Sequence, residues 1–100
     1  MFNLKFYFMK EKIQKIYEQA NAYISELDTV RPIDIIENTS ELYIEYKNKL
    51  PQELQEICSK CCKFINKDYD NYITFSQIIL VGTSLIENIY DIFGKWLNNN

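Results

Sequence analysis

Residues 66–97 read NKDYDNYITFSQIILVGTSLIENIYDIFGKWL, and the change of pattern inside that stretch decides the fold. A polar turn, Asp68-Tyr69-Asp70-Asn71, gives way to an apolar-rich run. Thr74 and Gln77 mark the change with the Thr-x-x-Gln spacing of a capping box. There the hydroxyl accepts the third amide proton of the helix and the glutamine reaches back to the cap. Beyond them Phe75, Ile78, Ile79, Gly82, Leu85, Ile86, Ile89, Phe93 and Trp96 recur at intervals of three and four, one stripe of a long helix. Leu80, Val81, Tyr90, Ile92 and Leu97 fall off the stripe. A helix apolar on more than one face is expected to be the most buried of its fold, with Gly82 admitting a neighbour at close range.

Upstream, three shorter patterns of the same period precede it. Ile13, Ile16, Tyr17, Ala20, Tyr23, Ile24 and Leu27 predict a first helix over residues 9–28. Its lysines, Lys10, Lys12 and Lys15, stand at the start and Glu26 and Asp28 at the end, the reverse of what a helix dipole favours. Thr29-Val30-Arg31-Pro32 breaks it, because the residue before a proline avoids the α region while proline suits a first helical turn. A second helix over 32–49 follows, with Ile35, Ile36, Thr39, Leu42, Tyr43, Tyr46 and Leu50 inward. Asp34, Glu37, Glu41 and Glu45 form its solvated acidic face. Pro51 opens a third helix, PQELQEICSKCCKFIN, whose glutamates lead and whose lysines trail, as the dipole prefers. The opening MFNLKFYF is too short for a secretory signal or a bilayer span. It reads as an N-terminal extension, residues 1–8, ahead of a bundle domain at 9–100. Phe2, Leu4, Phe6 and Phe8 also alternate as a strand on a membrane surface would, although packing or fraying is the preferred reading.

The 100 residues suffice for one domain with a core that needs no metal or disulfide. Two glycines and two prolines argue for long elements and short connections. Four such helices joined by short links make an all-α, antiparallel up-down-up-down bundle. That topology gathers Glu26, Asp28, Asp34 and Glu37 at one pole. Lys10, Lys12, Lys15, Lys47, Lys49 and Lys95 gather at the other, beside an exposed Trp96. Such a basic pole could face an anionic bilayer or an acidic protein loop.

A net charge of −3 gives no electrostatic case for nucleic acid. The absence of histidine removes the commonest general base and metal ligand, and neither glycine lies in a phosphate loop, so a non-catalytic binding protein without cofactors is expected. Cys58, Cys61 and Cys62 lack the fourth ligand of a structural zinc site. Cys58 and Cys61 read as small core residues, Cys62 as an edge residue, and the cytoplasm as their compartment. Residues 66–77 can be laid on the EF-hand loop, with Asn66, Asp68 and Asp70 at its first three ligand positions. Asn71 replaces the turn glycine and Gln77 the bidentate glutamate, which speaks against calcium.

One junction is more specific. Asp70-Asn71-Tyr72-Ile73-Thr74-Phe75-Ser76 carries an Asn-x-Ile-x-Phe-Ser/Thr pattern leading into the last helix. With Pro32-Ile33-Asp34-Ile35-Ile36 and the helix order over residues 10–93, it resembles the enterocin A immunity family, which protects producers of pediocin-like bacteriocins. The resemblance implies a monomeric bundle that acts without catalysis, in the cytoplasm and in part at the inner face of the plasma membrane. Its implied partner is the set of membrane components of the mannose phosphotransferase system with bacteriocin bound, with peripheral membrane contact as an accompaniment. It also places recognition in the C-terminal half, here Tyr90, Lys95, Trp96 and Leu97. Two other readings stay open: a degenerate EF-hand protein responding to calcium, and a small helical regulatory or interaction protein of phage or bacterial origin.

Overall fold

The computed structural model describes residues 4–26, 30–66 and 75–100. They form four helices: α1 (Leu4–Ile24), α2 (Pro32–Tyr46), α3 (Gln52–Asn66) and α4 (Phe75–Asn99), with a 3-10 turn at Lys47–Lys49. Cross-helix contacts fix the antiparallel order. Lys12, early in α1, pairs with Glu45 at the end of α2. Late in α1, the Tyr23 hydroxyl meets that of Thr83, early in α4, at 3.3 Å. The Ser40 hydroxyl donates to Cys62 Sγ at 3.2 Å, joining α2 to α3. The fold is the all-α four-helix bundle that the periodicity predicts, and α2 and α4 also touch across its diagonal.

The helix boundaries follow local chemistry. α1 begins at Leu4, so residues 4–8 continue the helix instead of forming a separate extension or a strand. The alternation of Leu4, Phe6 and Phe8 is overridden by a helical spacing, Phe6, Met9, Ile13, Ile16, Ala20, that gives the segment a packing face. Phe6 sets its ring edge-on to Trp96, centroids 6.3 Å apart, and Met9, Ile13, Ile16 and Ala20 are buried. Arg31 is extended (ψ 133°) ahead of Pro32, and its guanidinium makes two hydrogen bonds to the Asp34 carboxylate, at 3.0 and 2.9 Å. α2 stops at Tyr46, three residues before the expected end, because Lys47 turns to a positive φ of 36° and donates its amide to the Tyr43 carbonyl. The 3-10 turn then delivers Leu50 in extended conformation to Pro51.

Packing at one pole explains the lysines at the start of α1. Its lysines lie beside the C-terminal ends of its two antiparallel neighbours: Lys12 on Glu45 of α2, and Lys10 on the backbone oxygen of Asn100 past α4. Cations there meet the negative ends of neighbouring dipoles, which offsets their poor placement on their own helix. The pairing with Glu45 also raises the Lys12 pKa above its ordinary value.

The core is built from Ile13, Ile16, Ile35, Ile36, Leu42, Leu54, Ile57, Ile86, Ile89 and Phe93, among others, all buried. Cys58 and Cys61 belong to it, and burial pushes the Cys61 thiol up to about 12 and the Cys58 thiol higher still. Neither ionises near neutrality, so both act as small apolar residues. Thr39, fully buried, satisfies its hydroxyl on the Ile35 carbonyl at 2.8 Å.

The close approach foreseen at Gly82 occurs at Gly94 instead. A Cβ on Gly94 would lie 2.9 Å from the Tyr17 ring, whereas one on Gly82 would meet Ile36 and Phe64 at ordinary distances of 3.6 and 3.8 Å. Tyr17 lies against the bare α4 backbone and stacks on Tyr90, with centroids 5.2 Å apart and planes 13° apart. A helical Gly→Ala change gains about 1 kcal/mol where the methyl fits. Gly82→Ala should therefore raise stability by about 0.5–1 kcal/mol in urea denaturation. Gly94→Ala should gain nothing or lose stability, since Tyr17 must leave Tyr90. Equal gains at both sites would show that the Tyr17 contact is not restrictive.

Candidate functional site

α4 brings Tyr90, Lys95, Trp96 and Leu97 to the basic pole, but not as one open surface. Only Lys95 is exposed; Tyr90 and Leu97 are half-buried and Trp96 is 6 % exposed. The exposed tryptophan expected from the sequence is therefore corrected. Phe6, in the segment read from the sequence as an N-terminal extension, packs its ring against it. Tyr90 is engaged with Tyr17, whose hydroxyl is held above its ordinary pKa first by its hydrogen bond to Tyr90 and then by burial. What the tail of α4 offers a partner is the Lys95 ammonium, on the rim of a small hollow shared with Glu53, Ile92 and Asn99.

The exposed apolar surface of α4 lies at its other end. Ile79, Leu80 and Val81 are 52 %, 72 % and 44 % exposed, so this helix is not buried throughout as its composition suggests. The Tyr23–Thr83 contact sets the end of α1 level with Thr83, one turn of α4 beyond Ile79. Ile79 keeps the phase of the buried stripe but is exposed. Leu80 and Val81 point away from the stripe, which was visible in the spacing. The same pole exposes Ile24 and Ile33.

The Asp68–Asn71 turn, the Thr74 cap and most of the EF-hand-like stretch lie outside the described residues. Among the described residues no group of three His, Cys, Asp or Glu side chains is placed to hold a metal ion. A groove between α1 and α2, lined by Lys12, Lys15, Gln19, Asn38, Glu41 and Glu45, encloses about 190 Å³. Wider hollows, of about 530, 420 and 320 Å³, lie along the two ends of α1, and all are open to solvent. No family model, curated protein or solved structure matches this chain. None of the described helices is long and apolar enough to cross a membrane.

Surface chemistry is thus the material from which function must be argued. Three features qualify: the apolar start of α4, the exposed lysine near its end, and the lysines with exposed apolar side chains around the start of α1.

Proposed function

We propose that this protein is a bacteriocin immunity protein of the enterocin A type. It acts stoichiometrically, from the cytoplasmic side, on mannose phosphotransferase membrane components that have bacteriocin bound, and it carries out no reaction. The observation that supports this reading best is the exposure of Ile79, Leu80 and Val81 on α4, within the C-terminal half that the resemblance implicates. An apolar cluster on a rigid helix can seat in a groove of a partner as a recognition anchor. The partner contact accordingly centres on the start of α4, with Lys95 contributing charge at the far end and with Trp96 supporting the helix from inside.

The reading is tested by expression in a bacteriocin-sensitive strain. The unaltered chain should protect against at least one pediocin-like bacteriocin. The variant Ile79→Ser/Leu80→Ser changes exposed side chains, and surface substitutions stay within about ±0.5 kcal/mol. It should keep its far-UV circular dichroism and lose protection at least tenfold in inhibitory concentration. Full protection by that variant would remove the start of α4 from the contact. Failure of the unaltered chain against a panel of such peptides would end the immunity reading.

A further inference from the structure

The hollow of about 420 Å³ opens where the end of α1 meets α4, lined by Tyr23, Ile24, Glu26, Val30, Thr83 and Glu87. The Tyr23–Thr83 hydroxyl contact ties its two walls together. Leu80, Thr83 and Glu87 follow one another at intervals of three and four along α4, so the apolar start of that helix and the hollow share one side. Ile24, also exposed, adds an apolar group on the α1 wall.

Two carboxylates border this groove. Just past α1, Glu26 turns into the left-handed region, with a φ of 57°, and donates its amide to the Tyr23 carbonyl at 3.3 Å. That turn sets Glu26 on one wall while Glu87 stands on the other. Both are exposed, and neither forms an ion pair among the described residues. Cations at this pole do not offset them: Arg31 has its guanidinium on Asp34, and Lys63, in the last turn of α3, does not line the hollow. Glu37, one turn beyond Asp34 on α2, adds to the negative charge. An apolar ridge beside a negative rim selects an occupant that is apolar on one side and positive along its border.

We propose that this groove seats an amphipathic helical segment of the partner. Its apolar side chains cover Ile24, Ile79 and Leu80, and its lysine or arginine side chains reach Glu26 and Glu87. A helix laid in a groove draws affinity from its apolar anchors, while the charges on the rim fix its direction and speed its arrival. This assignment rests on the reading of the start of α4 as the partner contact, and adds the chemistry of what arrives there.

Fluorescence anisotropy tests it with a dye-labelled peptide of leucine and lysine at helical spacing, against the same peptide with glutamate in place of lysine. The unaltered chain should bind the lysine peptide, more weakly as salt rises, and leave the glutamate peptide free. At physiological salt Glu26→Gln/Glu87→Gln should weaken binding about fivefold or more, through the loss of two exposed charge pairs. Ile79→Ser/Leu80→Ser should weaken it at least as far, both variants keeping their circular dichroism. Glu11→Gln/Glu53→Gln removes the same charge from the opposite pole and should change binding by less than about twofold, because salt screens charges that far away. The proposal is overturned if the unaltered chain binds neither peptide or both alike, or if either groove variant binds undiminished. It is also overturned if the two carboxylate pairs prove interchangeable, or if sedimentation velocity shows a dimer that Ile79→Ser/Leu80→Ser dissolves. The protection assay separates this inference from the immunity reading. If the unaltered chain protects and Glu26→Gln/Glu87→Gln protects equally well, the basic segment falls and immunity stands. If the chain binds the lysine peptide but protects no strain, the immunity reading alone falls.

Discussion

Truncating Trp96 to alanine is expected to cost about 3–5 kcal/mol of folding stability, the usual range for a buried aromatic. The indole is 6 % exposed, held between the core residues of α4 and the Phe6 ring of α1. A domain of this size holds about 5–15 kcal/mol in total, so the variant sits near the edge of folding. For a chain of this length each kcal/mol lowers Tm by about 4–8 °C. A urea or thermal titration measures the loss, and a Tm within about 2 °C of the parent would mean that the ring is a surface group after all. As the chain has one tryptophan, its fluorescence reports this site alone. The functional corollary is strict. Loss of protection by Trp96→Ala would follow from unfolding, and says nothing about a contact. Lys95→Ala, at an exposed position, is the change that examines the tail, and Trp96→Phe, which keeps an aromatic ring beside Phe6, is its folding control.

The bundle was legible because its period was uninterrupted. Pro32 and Pro51 mark two of the breaks, and the stripes of Ile13-Ile16-Ala20 and Leu85-Ile86-Ile89-Phe93 are the buried faces observed. Residues 4–8 were misplaced because a strand-like alternation and a helical stripe coexist there. Only the position of Trp96 in space decides between them, and no local pattern encodes that. The same missing knowledge misplaced the site. Trp96 was read as both stripe and free tip, and the two are reconciled only by learning that α1 extends far enough to cover it. Ile79 failed in the opposite way, since periodicity tells the phase of a side chain but not its exposure in the fold, here 52 %. Gly94 stacks beneath Tyr17 for a reason of register between α1 and α4, which spacing within one helix cannot supply.

Ile36 and Ile44 allow that distinction to be tested with one kind of side chain on one helix. Both are isoleucines of α2, eight residues apart, yet Ile36 is 1 % exposed and Ile44 is 60 % exposed. Ile36→Ala should cost about 2–5 kcal/mol, because the side chain crosses the diagonal toward α4 and its removal leaves a void. Ile44→Ala should stay within about 0.5 kcal/mol of the parent, since its atoms are already in water. Gly82 sharpens the expectation. The nearest contact of a Cβ built there is Ile36 Cδ1 at 3.6 Å, so a methyl at position 82 borders the space that Ile36→Ala opens. The two changes share a cavity and should not be additive. Gly82→Ala should recover more stability in the Ile36→Ala background than in the parent, by about 0.5 kcal/mol or more in a double-mutant cycle. Strict additivity, or equal costs at positions 36 and 44, would mean that α2 and α4 do not pack across the diagonal, and the start of α4 would then lose the support that presents Ile79 and Leu80 to a partner.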